Sequence, residues 1–294
     1  MRQISFVFIL ISGILWGCLG LFVRNLNAVG LVSMDIVFLR AVVTAVAMVL
    51  FLMVYDRKLL KIRLKDFWCF LGTGIASITF FNFCYFKAIT LTSMSVAAVL
   101  LYTAPAIVMV LSYFLFREQF SVRKGIALIM TFVGCVLVTG VFESSQNISA
   151  GGILLGLGAG LGYALYSIFS RYALDKGYHS LTITCYTFIV AAVATGCLTD
   201  IPRVMQLSFS SVSYGALSLS LGIVCTVAPY LLYTLGLVHV ENSLASIIAS
   251  IEPVTATLLG IILYKEKISL TGILGIGLVI GAMAVCSKKA EKTV

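Results

Sequence analysis

Charged residues are scarce in this chain. They make up only 11% of its 294 residues, whereas hydrophobic residues make up 61%. A soluble globular domain carries about 25% charged residues, so the composition excludes an ordinary soluble protein and indicates an integral membrane protein. The net charge of +9 does not indicate a nucleic-acid-binding protein, because the basic residues cluster in short loops between apolar runs.

The residues that build metal sites and catalytic centres are also few. The chain has two histidines, both in predicted loops, and its eight cysteines stand singly without a CxxC pair. We interpret the cysteines as small apolar core residues and expect neither a disulfide framework nor a metal site. The apolar runs contain no histidine and no clustered acids, which argues against a membrane-embedded enzyme. The chain has no Walker motif, so we expect neither direct coupling to ATP nor any other cofactor.

Long apolar runs dominate what remains. A helix of about 20 apolar residues crosses the roughly 30 Å hydrocarbon core of a bilayer, and the linkers between the runs are short enough to make neighbouring spans antiparallel. We therefore predict an all-α membrane protein with ten transmembrane helices, numbered one to ten in chain order. Their predicted ranges are 4–24, 33–55, 67–88, 93–115, 122–142, 151–173, 180–199, 211–236, 242–264 and 270–287.

Lysine and arginine are distributed unevenly between the loops. With the N-terminus inside, fourteen basic residues fall on the cytoplasmic side and five on the outer side. The positive-inside rule therefore predicts that both termini are cytoplasmic, although Lys265 and Lys267 on the outer side run against it. The first apolar run is too long for a signal peptide and lacks a cleavage site, so we interpret it as a retained first span.

The second half of the chain repeats the first at an offset of about 148 residues. Residues 71–121 align with 219–269 without a gap, and residues 13–24 echo 160–171. Each half holds five spans, an odd number, so the second copy is inverted in the membrane. Inverted repeats are typical of secondary transporters, whose substrate site lies near the midplane between the halves. We predict two repeats, 1–145 and 146–294. Aligned pairs include Ser95 with Ser243, Pro105 with Pro253, Arg117 with Lys265, and Glu118 with Glu266.

Several motifs in both halves carry a family resemblance. They are SGILWG (12–17), FLRA (38–41), YFKAITLTSMSVAAVLLYTAP (85–105), FREQFS (116–121), YTLGLVHVENSLASIIASIEPV (233–254) and YKEKIS (264–269). With these motifs the chain resembles the ten-helix EamA-type branch of the drug/metabolite transporter superfamily over its whole length. The resemblance implies a basket-shaped bundle around a central cavity. It also implies metabolite movement by alternating access across a bacterial cell membrane.

Two charges lie deep within predicted spans, and each is unique to one half. Glu252 stands where the first half has Ala104, and Arg40 stands opposite Thr187. A charge inside a membrane is costly and marks either a site or a structural pair. Glu252 is a candidate for a substrate cation or a proton, or else it is a structural partner for a backbone N–H or for Arg40. Arg40 either binds a substrate carboxylate or phosphate in a fork, or locks its helix to a neighbour.

Aromatic and amide side chains on the predicted central helices are further site candidates. Each alone is more often a packing residue, but together they favour a pocket, and aromatic faces beside one acid suit amines. The set is Trp16, Asn82, Tyr102, Tyr163, Tyr230 and Tyr233. Three of the four prolines, Pro105, Pro229 and Pro253, lie mid-span and are predicted to bend their helices.

Charged pairs also lie at two aligned span ends, just ahead of serines. We interpret Arg117-Glu118 and Lys265-Glu266 as interfacial structure. Ser121 and Ser269 are suitable N-caps for the helices that follow.

These observations predict a secondary transporter rather than an enzyme. We expect it to move small polar metabolites, amino acids or related amines, by export through a site near the midplane, with H⁺ as the candidate coupling ion. Uptake of a quaternary or primary amine is the alternative within the same class, and a channel or a membrane-embedded enzyme is the alternative outside it. The expected partners are the substrate and the lipid bilayer, with no nucleic acid, and the chain would act as a monomer or homodimer.

Overall fold

The computed structural model describes residues 1–141 and 149–287 of the chain. Every element within these ranges is helical, which confirms an all-α membrane fold. The predicted repeat boundary at 145/146 lies outside the described residues. So do Lys288, Lys289 and Lys292 of the charge count.

The α-helices alternate with short irregular connections. In chain order they are Arg2–Gly17, Leu19–Asn27, Ser33–Tyr55, Phe67–Leu71, Phe80–Leu91, Met94–Leu101, Ala104–Phe116, Val122–Val138, Ala150–Asp175, Ser180–Gly196, Ile201–Ser208, Val212–Gly222, Ala228–Leu237, Asn242–Ala249, Glu252–Tyr264 and Leu270–Ser287. Two short 3₁₀ helices, Arg57–Leu60 and Leu64–Asp66, follow the second span, and two π-helical segments, Gly72–Thr79 and Ile223–Val227, lie within the third and eighth spans.

Seven helical segments of the described chain are long and apolar enough to cross a membrane, or eight if a bent pair is counted as one. Shorter helices lie where spans five, seven and ten are predicted: Val122–Val138, Ser180–Gly196 and Leu270–Ser287. At 1.5 Å per residue, a helix of this length reaches about 26 Å, slightly less than a typical hydrocarbon core. The count of ten therefore stays a prediction.

One predicted loop is helical in the structure. The hydrophilic stretch after span seven contains the helix Ile201–Ser208, which turns by 113° from Ser180–Gly196. The side chain of Asp200 caps it by accepting a hydrogen bond from the backbone N–H of Arg203, as an aspartate at the N-cap does. The polar composition of this stretch predicts an exposed loop, but it does not predict this helix.

The fourth and ninth spans are both broken near their middle, at aligned positions. The fourth is interrupted at Tyr102 and Thr103, and the ninth at Ser250 and Ile251. In each, a proline lies in the first turn of the second half-helix, where its missing N–H costs least. Each second half-helix then ends at a residue in the left-handed region, at φ 55° in the fourth span and 54° in the ninth.

The third and eighth spans also match each other in an irregular feature. Both pass through a π-helical segment, over Gly72–Thr79 and Ile223–Val227. Such segments leave backbone carbonyls to be satisfied by other donors, and they occur often at functional sites. In the third span the hydroxyl of Thr79 donates to the carbonyl of Gly74 over 2.9 Å. Pro229 lies in the first turn of the helix after the π-helical segment of the eighth span.

Close glycine contacts place the first and sixth spans directly against these breaks. A Cβ at Gly17 would lie only 2.7 Å from the carbonyl oxygen of Glu252, at the ninth-span break. A Cβ at Gly160 would lie 3.0 Å from the carbonyl oxygen of Leu100, at the fourth-span break. Small residues let helix backbones approach this closely, so the two broken helices and their partners form the middle of the bundle.

A buried acid fixes one end of the bundle. Asp66 accepts hydrogen bonds from Arg63 Nε at 2.7 Å, Lys176 Nζ at 2.9 Å and the Tyr178 hydroxyl at 3.0 Å. The contact with Asp66 raises the pKa of Lys176 above its usual value. This network ties the start of the third span to the loop after the sixth.

Candidate functional site

Five aromatic rings from three spans meet at the centre of the bundle. We call Trp16 of the first span, Tyr163 and Tyr166 of the sixth, and Tyr230 and Tyr233 of the eighth the aromatic cluster. The ring of Trp16 lies 5.0 Å from Tyr230, 5.4 Å from Tyr233 and 6.2 Å from Tyr163. Most of these pairs are edge-to-face, which is a favourable aromatic geometry. Tyr163, Tyr230 and Tyr233 therefore lie around Trp16, as expected from the sequence if these residues form a pocket.

The aromatic cluster surrounds a small cavity. Its other lining side chains are Ser77, Ile78, Phe81 and Ser167. The centre of a water molecule has only about 10 Å³ in which to move there, which is room for a single water. A metabolite can therefore enter only if the rings or the surrounding helices move apart.

Glu252 lies beside the aromatic cluster at the break in the ninth span. The hydroxyl of Tyr163 donates a hydrogen bond to its Oε2 over 3.2 Å. Its half-buried side chain stands at the first turn of a half-helix, where the helix dipole favours a negative charge. Among the described residues, the Tyr163 hydroxyl is the one side-chain group that hydrogen-bonds this carboxylate, which leaves it capacity for a further donor.

Arg40 lies near Tyr230 of the aromatic cluster. It is 3% exposed, and its guanidinium lies within electrostatic range of the Tyr230 hydroxyl and of Glu252. Its Nε has no hydrogen-bond partner, and no ion pair of the described chain includes Arg40. Asp35, the acid nearest to it in its own helix, pairs with Arg203 instead.

Three buried polar groups near the cavity therefore lack hydrogen-bond partners. They are the Nε of Arg40, the indole Nε1 of Trp16 and the hydroxyl of Tyr166, and the last two residues line the cavity. A buried donor without a partner is costly and calls for an explanation. Acceptor oxygens of a ligand or of water molecules would satisfy them.

Four of the sequence-predicted candidates do not line the cavity: Glu252 and Arg40, which adjoin lining residues, and Asn82 and Tyr102. Asn82 is buried, but its Nδ2 donates to the carbonyl of Ile78 in its own helix at 2.7 Å. Tyr102 packs at the fourth-span break against Ile251, Val254 and other apolar residues. Tyr102 thus belongs to the wall behind Glu252 rather than to the cavity lining.

Several lining residues are not among the sequence-predicted candidates. Tyr166 and Ser167 lie on the same helix as Tyr163, and a spacing of three residues places Tyr166 on the same helix face. The hydroxyl of Ser167 is 2.7 Å from that of Tyr233. Ser77 and Phe81 lie four residues apart on the third span, so their common face was also readable from spacing. No group of three or more His, Cys, Asp or Glu side chains able to hold a metal occurs within residues 1–141 and 149–287.

Comparison with known proteins gives a consistent result over the whole chain. Residues 3–140 and 150–288 each match the model of the EamA-like transporter family. An "Uncharacterized transporter" of Archaeoglobus fulgidus is 29% identical over 282 residues, covering 94% of both chains. The "Uncharacterized transporter YwfM" of Bacillus subtilis is 30% identical over 212 residues, covering 71% of this chain and 69% of its own.

A solved crystal structure has the same fold. It aligns with a TM-score of 0.80 at 18% identity and covers 98% of this chain and 97% of its own. At this level of identity the likeness shows the architecture alone.

Proposed function

Because the chain belongs to the EamA-like transporter family, we propose that it moves amino acids or related amines across the cell membrane by alternating access. Family membership makes it a membrane transporter; the substrate class, the direction of export and the mechanism go beyond that. The substrate site is the cavity within the aromatic cluster, near the membrane midplane between the two repeats. Inverted-repeat transporters bind substrate at such a position, where discontinuous helices meet.

One arrangement supports this substrate class above all. Glu252 is hydrogen-bonded to Tyr163 and Arg40 lies near Tyr230, so both charges adjoin the aromatic cluster, and no ion pair within the described chain joins them. An amino acid carries an ammonium and a carboxylate, so it complements both charges. The ammonium suits Glu252 and the aromatic faces, and the carboxylate suits the guanidinium of Arg40 and the free indole N–H of Trp16.

A simple amine would use only half of this arrangement. It would pair with Glu252 and the rings and leave the partnerless Nε of Arg40 as it is. This favours an amino acid over the alternative of a primary or quaternary amine. Glu252 is also the candidate carrier for H⁺, because exchange of a proton for the substrate ammonium on one carboxylate couples the two flows.

The orientation is part of the proposal. Both termini are placed in the cytoplasm of a bacterial cell by the excess of basic loop residues on that side. Single cysteines at Lys61 and Val212, both exposed in the structure, should react with an impermeant reagent from opposite sides. Reaction of both from the outside would contradict the topology.

Purified protein in liposomes tests the function itself. A thermal-shift screen against amino acids and amines identifies ligands, and the hits are then tested for saturable counterflow across the liposome membrane. Saturable counterflow of an amino acid is expected. Non-saturable flux would indicate a channel, and stabilisation by amines lacking a carboxylate alone would favour the amine alternative.

A further inference from the structure

The first half-helices of the fourth and ninth spans begin in different surroundings, although the repeat aligns them residue by residue. In the ninth span Asn242 is 0% exposed and Ser243 is 1% exposed. The aligned residue Met94 at the start of the fourth span is 70% exposed, and Ser95 is half-buried. The start of the ninth span is therefore covered by the rest of the bundle, and the start of the fourth is exposed at Met94.

Glu118 closes the buried end. Its Oε1 accepts a hydrogen bond from the backbone N–H of Asn242 at 2.7 Å. Its Oε2 accepts from the backbone N–H of Ser243 at 3.1 Å and from the Ser243 hydroxyl at 2.6 Å. A carboxylate at a helix N-terminus satisfies the free N–H groups and favours the helix dipole. This side chain comes from the end of the fourth span, so it ties the two broken spans together.

Two further contacts extend this closure. Arg171 donates to the carbonyl of Val240 at 2.6 Å and to Oδ1 of Asn242 at 3.2 Å. Lys124 forms an ion pair with Glu241, the residue just ahead of the ninth span. Fourth, fifth and sixth spans thus all hold the start of the ninth.

Glu266, the aligned partner of Glu118, is engaged differently. It is 59% exposed and pairs with Arg24 at 3.3 Å, and Arg24 is itself exposed. Within the described chain, no hydrogen bond or ion pair links Glu266 to Met94 or Ser95. The start of the fourth span is instead capped by its own Ser93, whose hydroxyl accepts from the N–H of Val96.

From this asymmetry we infer that Glu118 and Glu266 are paired gate residues that dock alternately during transport. In the conformation described here Glu118 is docked and Glu266 is released. In the opposite conformation Glu266 accepts hydrogen bonds from the backbone N–H groups of Met94 and Ser95 and from the Ser95 hydroxyl, while Glu118 leaves Asn242 and Ser243. The inference rests on the proposed alternating-access function.

Sequence identity at the aligned positions supports the exchange. Glu118 and Glu266 are the same residue, and so are their targets Ser243 and Ser95. Arg24 and Arg171 are also aligned, at the offset of 147 residues. A purely structural pair in such a repeat would be docked at both ends. Docking at one end only, while the glutamate and its backbone N–H and serine targets recur at the other, is the geometry that alternating access requires.

Two reporter cysteines test the exchange without knowledge of the substrate. Met94→Cys reports on the open end and Leu244→Cys, aligned with Val96 and buried here, reports on the closed end. Both are placed in a background without the eight native cysteines. Labelling with an impermeant maleimide is followed in right-side-out and inverted membrane vesicles.

Glu118→Gln should expose the closed end. Loss of the charge-assisted contacts should shift the equilibrium about tenfold, so Leu244→Cys labels about tenfold faster from the cytoplasmic side and Met94→Cys labels more slowly from outside. Glu266→Gln should remove the means of closing the outer end, so Met94→Cys stays reactive even together with Glu118→Gln. Asp175→Asn, an exposed acid on the same side of the membrane as Glu118, is the matched control and should change neither rate.

The opposite movement of the two reporters is what a merely structural role would not produce. If Glu118→Gln accumulates in the membrane and leaves Leu244→Cys as protected as before, the inference is overturned, and counterflow in liposomes would show that the transport function still holds. If the labelling rates of the two reporter cysteines change in opposite directions as expected but no amino acid is transported, the gate inference is supported and the proposed substrate is wrong. Glu118→Asp, which keeps the charge but shortens the reach, should give an intermediate labelling rate and replaces the glutamine variant if that one does not fold.

Discussion

The Tyr163 hydroxyl and the Glu252 carboxylate lie 3.2 Å apart in a hydrogen bond at the break of the ninth span. Tyr163 belongs to the aromatic cluster, so the contact connects the cavity lining to the acid at the middle of the ninth span. A movement of the broken helix would change this distance. On the proposed role of Glu252, binding there would act on the sixth span as well as on the ninth through this hydrogen bond.

Glu252→Gln is expected to abolish pH-gradient-driven accumulation while the protein still folds. The change keeps the size and the hydrogen bond to Tyr163 but removes the charge, and removal of a buried charge can be neutral or stabilising. Uptake into liposomes with and without a pH gradient measures the first effect, and the melting temperature measures the second. Unchanged transport with unchanged pH dependence would show that Glu252 only packs and hydrogen-bonds.

Tyr163→Phe is expected to weaken substrate binding by about 1 kcal/mol, since one hydrogen bond to a half-buried carboxylate is lost. In the Glu252→Gln background the same change should have a smaller effect, because Tyr163 then bonds a neutral amide rather than a carboxylate and the two positions are coupled through this contact. Ligand-induced thermal shifts on the two single variants and the double variant give the coupling. Tyr172→Phe, near the C-terminal end of the same helix, serves as the control, and full additivity would contradict the proposed coupling.

Much of the architecture was predictable because the two repeats align in the sequence without a gap, so matching positions can be identified. The ungapped alignment of Pro105 with Pro253 foretold that the fourth and ninth spans would share irregularities, and both break just before these prolines. Ser121 and Ser269 cap their helices as predicted, accepting from Lys124 N and Gly272 N. Local chemistry decides such features, and local chemistry is visible in the sequence.

Other features depend on choices that the sequence leaves open. The Asn82 amide could face the cavity or donate to a backbone carbonyl one turn earlier. It donates to the carbonyl, as buried polar side chains in helices can. Glu118 and Glu266 are aligned and identical, yet one docks and the other does not. Their difference belongs to the conformational state of the whole bundle, and no residue pattern records it.

Arg40→Lys is expected to weaken binding of carboxylated substrates about tenfold, because lysine cannot offer the planar fork of a guanidinium. Amines without a carboxylate should bind as before, and expression should stay near normal. Competition binding with an amino acid and its decarboxylated amine separates these outcomes. A lower yield and melting temperature with unchanged selectivity would identify Arg40 as structural, and a stable, fully active variant would contradict both roles.

Asp66→Asn is expected to lower the melting temperature without changing substrate selectivity. The buried carboxylate holds Arg63, Lys176 and Tyr178 together, and an amide cannot pair with two cations. Because the pKa of Lys176 is raised, its ion pair with Asp66 contributes fully to the stability of the fold at neutral pH. That contribution to stability is lost only as the pH rises through this pKa. The difference between the variant and the wild type should therefore persist from about pH 6 to 8 and shrink in strong base. Asp175→Asn is the control, and equal melting of Asp66→Asn and wild type would contradict the structural role.

Gly17→Ala is expected to destabilise the protein by about 1–3 kcal/mol, the usual cost of overpacking. The new methyl group would lie 2.7 Å from the carbonyl oxygen of Glu252 and 2.6 Å from Cβ of Thr255, so the first span must move away from the ninth-span break. The same movement would displace Trp16 and impair transport. Gly20→Ala, three residues further along, has nothing within 4 Å of its new Cβ and should be neutral or slightly stabilising, since alanine is the better helix former. Thermal melting and counterflow of the two variants side by side provide the test. Equal stability of both would mean that the first span does not pack tightly on the broken helix.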